Sequence, residues 1–141
     1  KISPDIIEEQ VQAISQTLLN HEVKAIIVSN TTEGNRENLH NALKHQKGGL
    51  SGKPLEEKSN QLINKFYNLL KRKIEIIGVG GVDSGKSAYD KFLAGANYVQ
   101  LYTGMVFQGP NIVSKIKKEL KVLLTNDGVK NFKEIIGKKN S

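Results

Sequence analysis

Ile74-Glu75-Ile76-Ile77-Gly78-Val79-Gly80-Gly81, followed by Asp83-Ser84-Gly85, decides the fold. A short run dominated by isoleucine and valine reads as a strand buried on both faces. Gly80-Gly81 ends it. Asp83 or Ser84 then caps a helix that runs to Ala94 and stops at Gly95. Strand, glycine turn and helix in direct succession make one βα unit.

The same unit repeats outward from this stretch. Ala25-Ile26-Ile27-Val28 is a second β-branched run. Between the two, Leu55, Leu62, Phe66 and Leu69 fall on one side of a helix. Tyr98-Val99-Gln100-Leu101 forms a third strand, and Gly109-Pro110 opens a long helix with Ile112, Ile116, Leu120 and Leu123 on its apolar side. A short helix is expected around residues 132–136. Near the N-terminus, Ser3-Pro4-Asp5 predicts a helix start, with Ser3 as cap and Pro4 at the first position, followed by Ile7, Val11, Ile14 and Leu18 at helical spacing. Lys1-Ile2 reads as the end of a fourth strand. This alternation predicts parallel strands at residues 25–28, 75–79 and 98–101, with helices between them. Four βα units are half of an eight-fold barrel, so residues 1–141 are expected to form the C-terminal half of a (β/α)8 barrel. A doubly wound open sheet is the alternative. Residues 33–47 carry few apolar side chains and no periodicity, and are expected to be loosely ordered.

Bulk properties narrow the function. The chain has 141 residues, of which 38% are hydrophobic, enough for a folded core. The net charge of +7 invites a nucleic-acid reading. The lysines, however, sit beside apolar residues on one helix or in the tail. Arginine, the usual base reader, occurs only as Arg36 and Arg72. A solvated basic face is the better reading, and no nucleic-acid partner is expected. The absence of cysteine excludes disulfides and thiolate chemistry. His21, His40 and His45 show no metal-ligand spacing. No apolar run approaches a membrane span.

Four motifs carry chemistry. Gly78-Val79-Gly80-Gly81 before a helix start lets backbone approach a phosphate, and the helix N-terminus supplies free N–H groups and a positive dipole end; a ligand-free βα turn is the bland alternative. Gln100-Leu101-Tyr102-Thr103-Gly104 ends the next strand. Adjacent strand ends of this kind form the phosphate site of many barrels. Ser29-Asn30-Thr31-Thr32 offers neutral hydrogen-bonding groups suited to a polar ring or carboxylate, although the same residues also make ordinary turns. Gly48-Gly49-Leu50-Ser51-Gly52-Lys53-Pro54-Leu55 is not a P-loop, because Pro54 stands where Ser or Thr is required.

In their order and spacing these motifs, with Phe107 and Gly109-Pro110, resemble the dihydroorotate dehydrogenase family. Lys1-Ile2-Ser3-Pro4-Asp5 is similar to the family's Lys-Ile-Ala-Pro-Asp segment, and the GGLSGKPL form resembles its quinone-linked, membrane-associated class. The resemblance covers essentially the whole chain. It implies an FMN-binding barrel that oxidises dihydroorotate to orotate, passing a hydride to FMN and then electrons to a quinone, in de novo pyrimidine synthesis. By the same resemblance Lys1 contacts the flavin ring, where its cation favours the reduced form. Ser29 stands at a flavin contact that is usually threonine. Gly52, Gly81, Tyr102 and Thr103 match FMN-binding positions, and Asn30 and Thr31 match substrate-binding ones. No residue matches the family's serine base, which is expected upstream with the other substrate asparagines and the quinone tunnel. The expected partners are therefore dihydroorotate or orotate, the N-terminal half of the barrel and, through that half, a quinone. The parent enzyme is expected at the periphery of the inner (cytoplasmic) membrane, and this stretch itself to be soluble. A non-catalytic remnant or interaction fragment of the same barrel is the alternative.

Overall fold

A computed structural model describes residues 1–34, 36, 37 and 39–140. Its elements run in the order α1 (Glu8–Asn20), β1 (Ala25–Val28), α2 (Glu56–Leu70), β2 (Glu75–Val79), α3 (Gly85–Ala94), β3 (Tyr98–Gln100), α4 (Thr103–Gln108) and α5 (Ile112–Asn126), joined and ended by short 3-10 turns. The strands lie side by side in chain order and pair in parallel, Ile26 opposite Ile76 and Gly78 opposite Val99. Ile2 makes a parallel bridge to Val28 on the far side of β1, so a fourth strand end joins in sequence.

Side-chain alternation sorts the two faces of this sheet. Ile26, Val28 and Ile76 point to the helical side. There they are buried with Val11 of α1 and Leu62, Ile63, Phe66 and Leu70 of α2. Ile27, Ile77 and Val79 point the other way and are only half-buried. A second cluster joins α3 to α5 and the C-terminal turn through Tyr89, Phe92, Ile135 and Phe132, the two phenyl rings 5.1 Å apart. Helices on one face and an open, apolar second face are what consecutive units of a barrel wall present.

Two details differ from the expectations. Ser3-Pro4-Asp5 does not start a helix: α1 begins at Glu8, where the Gln10 side chain accepts from the Ile7 N–H (3.0 Å). The Asp5 carboxylate serves a longer-range tie instead. It accepts from the Thr32 hydroxyl and the Glu33 N–H (2.8 Å) and pairs with Lys58 of α2. β3 ends at Gln100, and the six-residue helix α4 follows at once, a turn that the glycine at 104 concealed. The stretch 33–47 is organised around one cation. Arg36 donates to the carbonyls of Glu33 (3.1 Å), Lys44 (3.0 Å), Gln46 (3.1 Å) and Gly48, polar contacts in a stretch with few apolar side chains. Asn35 and Asn38 of that stretch lie outside the described residues.

Candidate functional site

Three loops at the C-terminal ends of the strands converge. The first follows β1. Ser29 is buried, its N–H donates to the Val79 carbonyl (3.0 Å), and its hydroxyl donates to the Asn30 carbonyl (3.0 Å). The Asn30 N–H donates to the Ile2 carbonyl (2.8 Å), which brings Lys1 alongside. The side chains of Asn30 and Thr31 are thereby left exposed. The glycine-rich segment is stapled onto this turn by a two-way antiparallel bridge, Thr32 N–H to Leu50 carbonyl (3.1 Å) and Leu50 N–H to Thr32 carbonyl (2.7 Å). Gly49 fits there because a Cβ would lie 1.9 Å from the Thr31 hydroxyl.

The second loop follows β2 and the third follows β3. They touch: a Cβ on Gly104 would sit 2.5 Å from the Val82 carbonyl. Gly52 closes the ring, since its Cβ would lie 2.9 Å from the Thr103 methyl, and Thr103 donates its hydroxyl to Ser51 (3.0 Å). A cavity of about 310 Å³ opens between the loops, lined among others by Lys1, Ser29, Asn30, Thr31, Gly81 and Thr103. Tyr102 and Ser51 line it as well, while Gly52 supports it from behind Thr103. Ser51 is a polar lining residue that sequence reading passed over, although it stood in a quoted motif. A wider cavity of about 780 Å³ runs along the free edge of β3 and shares Lys1, Val79, Val82, Leu101 and Tyr102 with the first.

Two roles read from the sequence shift. Gly81 has φ 76°, and its Cβ would strike the Glu56 backbone and side chain at 2.3–2.7 Å. Its lack of a side chain thus serves the packing of α2 against the turn. The N-terminus of α3 is also already occupied. Ser84 caps it, the Ser87 hydroxyl accepts from the N–H groups of Asp83 (2.9 Å) and Ser84 (3.0 Å), and the Glu119 carboxylate accepts from the Gly85 N–H (2.6 Å). The first turn of α4, at Thr103 and Gly104, is the helix start that borders the cavity, and its leading N–H groups have no acceptor within the helix.

The donor set fits an organic phosphate carrying a flat ring: backbone from three glycine-rich turns, one cation at Lys1, and neutral amide and hydroxyl groups at Asn30 and Thr31. Among the described residues no three His, Asp or Glu side chains gather as a metal site, and no helix is long and apolar enough to cross a membrane.

The chain resembles known proteins in sequence and fold. A family model described as dihydroorotate dehydrogenase matches residues 1–124. Mitochondrial dihydroorotate dehydrogenase (quinone) of Mus musculus is 42% identical over 137 residues, covering 97% of this chain and 35% of the mouse protein. The dihydroorotate dehydrogenase (quinone) of Idiomarina loihiensis is 44% identical over 120 residues, covering 85% of this chain and 36% of that protein. The crystal structure of ligand-free DHODH from Eimeria tenella superimposes with a TM-score of 0.95 at 35% identity, covering 98% of this chain and 38% of that one. The chain therefore spans little more than a third of the length of these relatives, and its strands and helices are those of part of a TIM barrel. By sequence and by fold, this chain belongs to the dihydroorotate dehydrogenase family.

Proposed function

We propose that residues 1–141 supply the C-terminal half of a quinone-linked dihydroorotate dehydrogenase, holding the FMN phosphate and part of the substrate. The observation that carries this reading is the single cavity at which Lys1, Asn30, Thr31, Gly81, Tyr102 and Thr103 meet, although they come from four separate stretches of sequence. FMN held there would supply the acceptor for a hydride from dihydroorotate and the route of its electrons to a quinone. Backbone N–H groups at the Gly81 turn and the start of α4 hold the phosphate. Lys1 supplies a cation that favours negative charge on the ring. Ser29 lies at the flavin contact, its hydroxyl already engaged with the Asn30 carbonyl. Asn30 and Thr31, exposed on the same rim, hydrogen-bond the pyrimidine and its carboxylate. The proton-abstracting base and the quinone path belong to the remainder of the barrel, which we place at the membrane periphery.

Asn30→Ala in a protein holding this chain and the rest of its barrel tests the assignment. The substrate KM is expected to rise at least about tenfold, because a buried substrate polar group loses its partner. Flavin content should stay unchanged. Loss of flavin with an unaltered KM would place Asn30 on the cofactor instead.

A further inference from the structure

Lys91 is the fully buried charged side chain among the described residues, with no exposed surface. It rises from α3 and crosses the outer side of β2 at Gly78, where a Cβ would lie 3.1 Å from the Lys91 Cδ; the strand is bare where the lysine stem passes. The ammonium donates to the Ser59 hydroxyl (3.1 Å) and the Asn60 side-chain carbonyl (2.9 Å), both on α2. Ser59, itself buried, donates to the Val79 carbonyl at 2.6 Å. That carbonyl also accepts the Ser29 N–H (3.0 Å) and immediately precedes Gly80-Gly81. A Cβ on Gly80 would meet the Ser59 Cβ at 3.2 Å, so the serine also braces the turn sterically.

A buried ammonium is costly, and an apolar residue of similar volume usually serves packing at least as well. Burial pushes the Lys91 ammonium down to about 8, with Glu56 and Asp90 favouring its charge and Lys53 opposing it; Lys86 and Lys139 line the polar cleft outside. A charge retained against such a cost points to a task beyond packing, and the hydrogen-bond chain ends at the turn bordering the anion cavity.

We propose that Lys91 is a positioning residue for the phosphate-binding turn: through Ser59 it fixes the Val79 carbonyl and so aims the Gly80-Gly81 backbone into the cavity shared with Thr103. The inference rests on the FMN reading and deepens it, adding a buried cation behind the turn that favours a dianion in front of it. Lys91 touches neither flavin nor substrate. Ser59 is the relay.

The test compares FMN with riboflavin, which lacks the phosphate, using flavin titrations of the protein that holds this chain and the rest of its barrel. Lys91→Met and Ser59→Ala are each expected to weaken FMN about tenfold, the scale of one lost charge-assisted bond, while leaving riboflavin affinity unchanged. Thermal stability of Lys91→Met should hold or rise. Equal losses for the two flavins, or no loss for FMN, would overturn the proposal by reducing Lys91 to a packing role. Should Lys91→Met fail to fold, the Ser59→Ala ratio decides by the same criterion. Failure of the unmodified protein to bind FMN at all would overturn the functional reading, and this inference with it.

Discussion

At Gly81 the lack of a side chain answers two requirements, and the structure separates them. Its φ of 76° disfavours any L side chain, and its Cβ direction is filled by Glu56 at the start of α2. Gly109 has the same φ of 76° with open space around it. The pair forms a controlled comparison. Gly109→Ala, at φ 76° and ψ 179°, is expected to cost about 1–3 kcal/mol, the conformational term alone. Gly81→Val adds a clash with helix backbone, and should cost at least about 3 kcal/mol by denaturant unfolding. Flavin loss in that variant would then follow from a displaced α2. Similar losses for the two variants would show that Glu56 moves aside freely. The sequence showed that a glycine was needed at 81. It did not show that the neighbour is the start of a helix 25 positions earlier in the chain rather than a ligand, because Cβ directions depend on tertiary packing.

At the scale of elements, the strands were legible because buried β-branched runs bounded by glycine have few other uses. All three lie where expected, parallel and in chain order, with β3 one residue shorter. The start of α1 was misread because Ser-Pro-Asp satisfies local capping rules, while the structure uses Asp5 to tie the loop after β1 to α2. Burial opposes ionisation of Asp5, yet hydrogen bonds from Lys58, Thr32 and the Glu33 N–H hold its carboxyl below the ordinary 3.8. The folded state thus binds this proton less readily than the unfolded chain. The stabilisation is fully present above pH 3.8 and disappears as pH falls through the lower folded value. Asp5→Asn should lower stability at neutral pH by about 1 kcal/mol and flatten the acid limb of the stability curve. An unchanged acid limb would remove Asp5 from that role. The tie was invisible in sequence because its three partners come from stretches that no periodicity connects.

At the scale of the whole molecule, the sheet has an edge at β3 with no strand paired to it among the described residues, an edge at β1 bridged only by Ile2, and one half-covered face. Beyond β3 lie exposed Tyr102, Met105, Val106, Phe107 and Val113. Unpaired strand edges and apolar surface of this kind invite association. They also leave the cavity at the strand ends open to water. The chain alone is therefore expected to associate and, on the proposed reading that places the proton-abstracting base in the rest of the barrel, to turn over dihydroorotate poorly, since such a base is worth roughly 10²–10⁴-fold. Chain-wide order of motifs carried the family reading from sequence. The closure of loops from four stretches onto one cavity needed the fold. The most direct measurement of the central claim is a titration of FMN and riboflavin, followed by flavin fluorescence, into the chain alone and into the chain mixed with the rest of its barrel. The account predicts weak or absent binding alone, about one FMN per chain in the mixture, and a clear preference for FMN over riboflavin. A folded mixture that binds no FMN, or that binds both flavins equally, would contradict a phosphate site at Gly81 and Thr103.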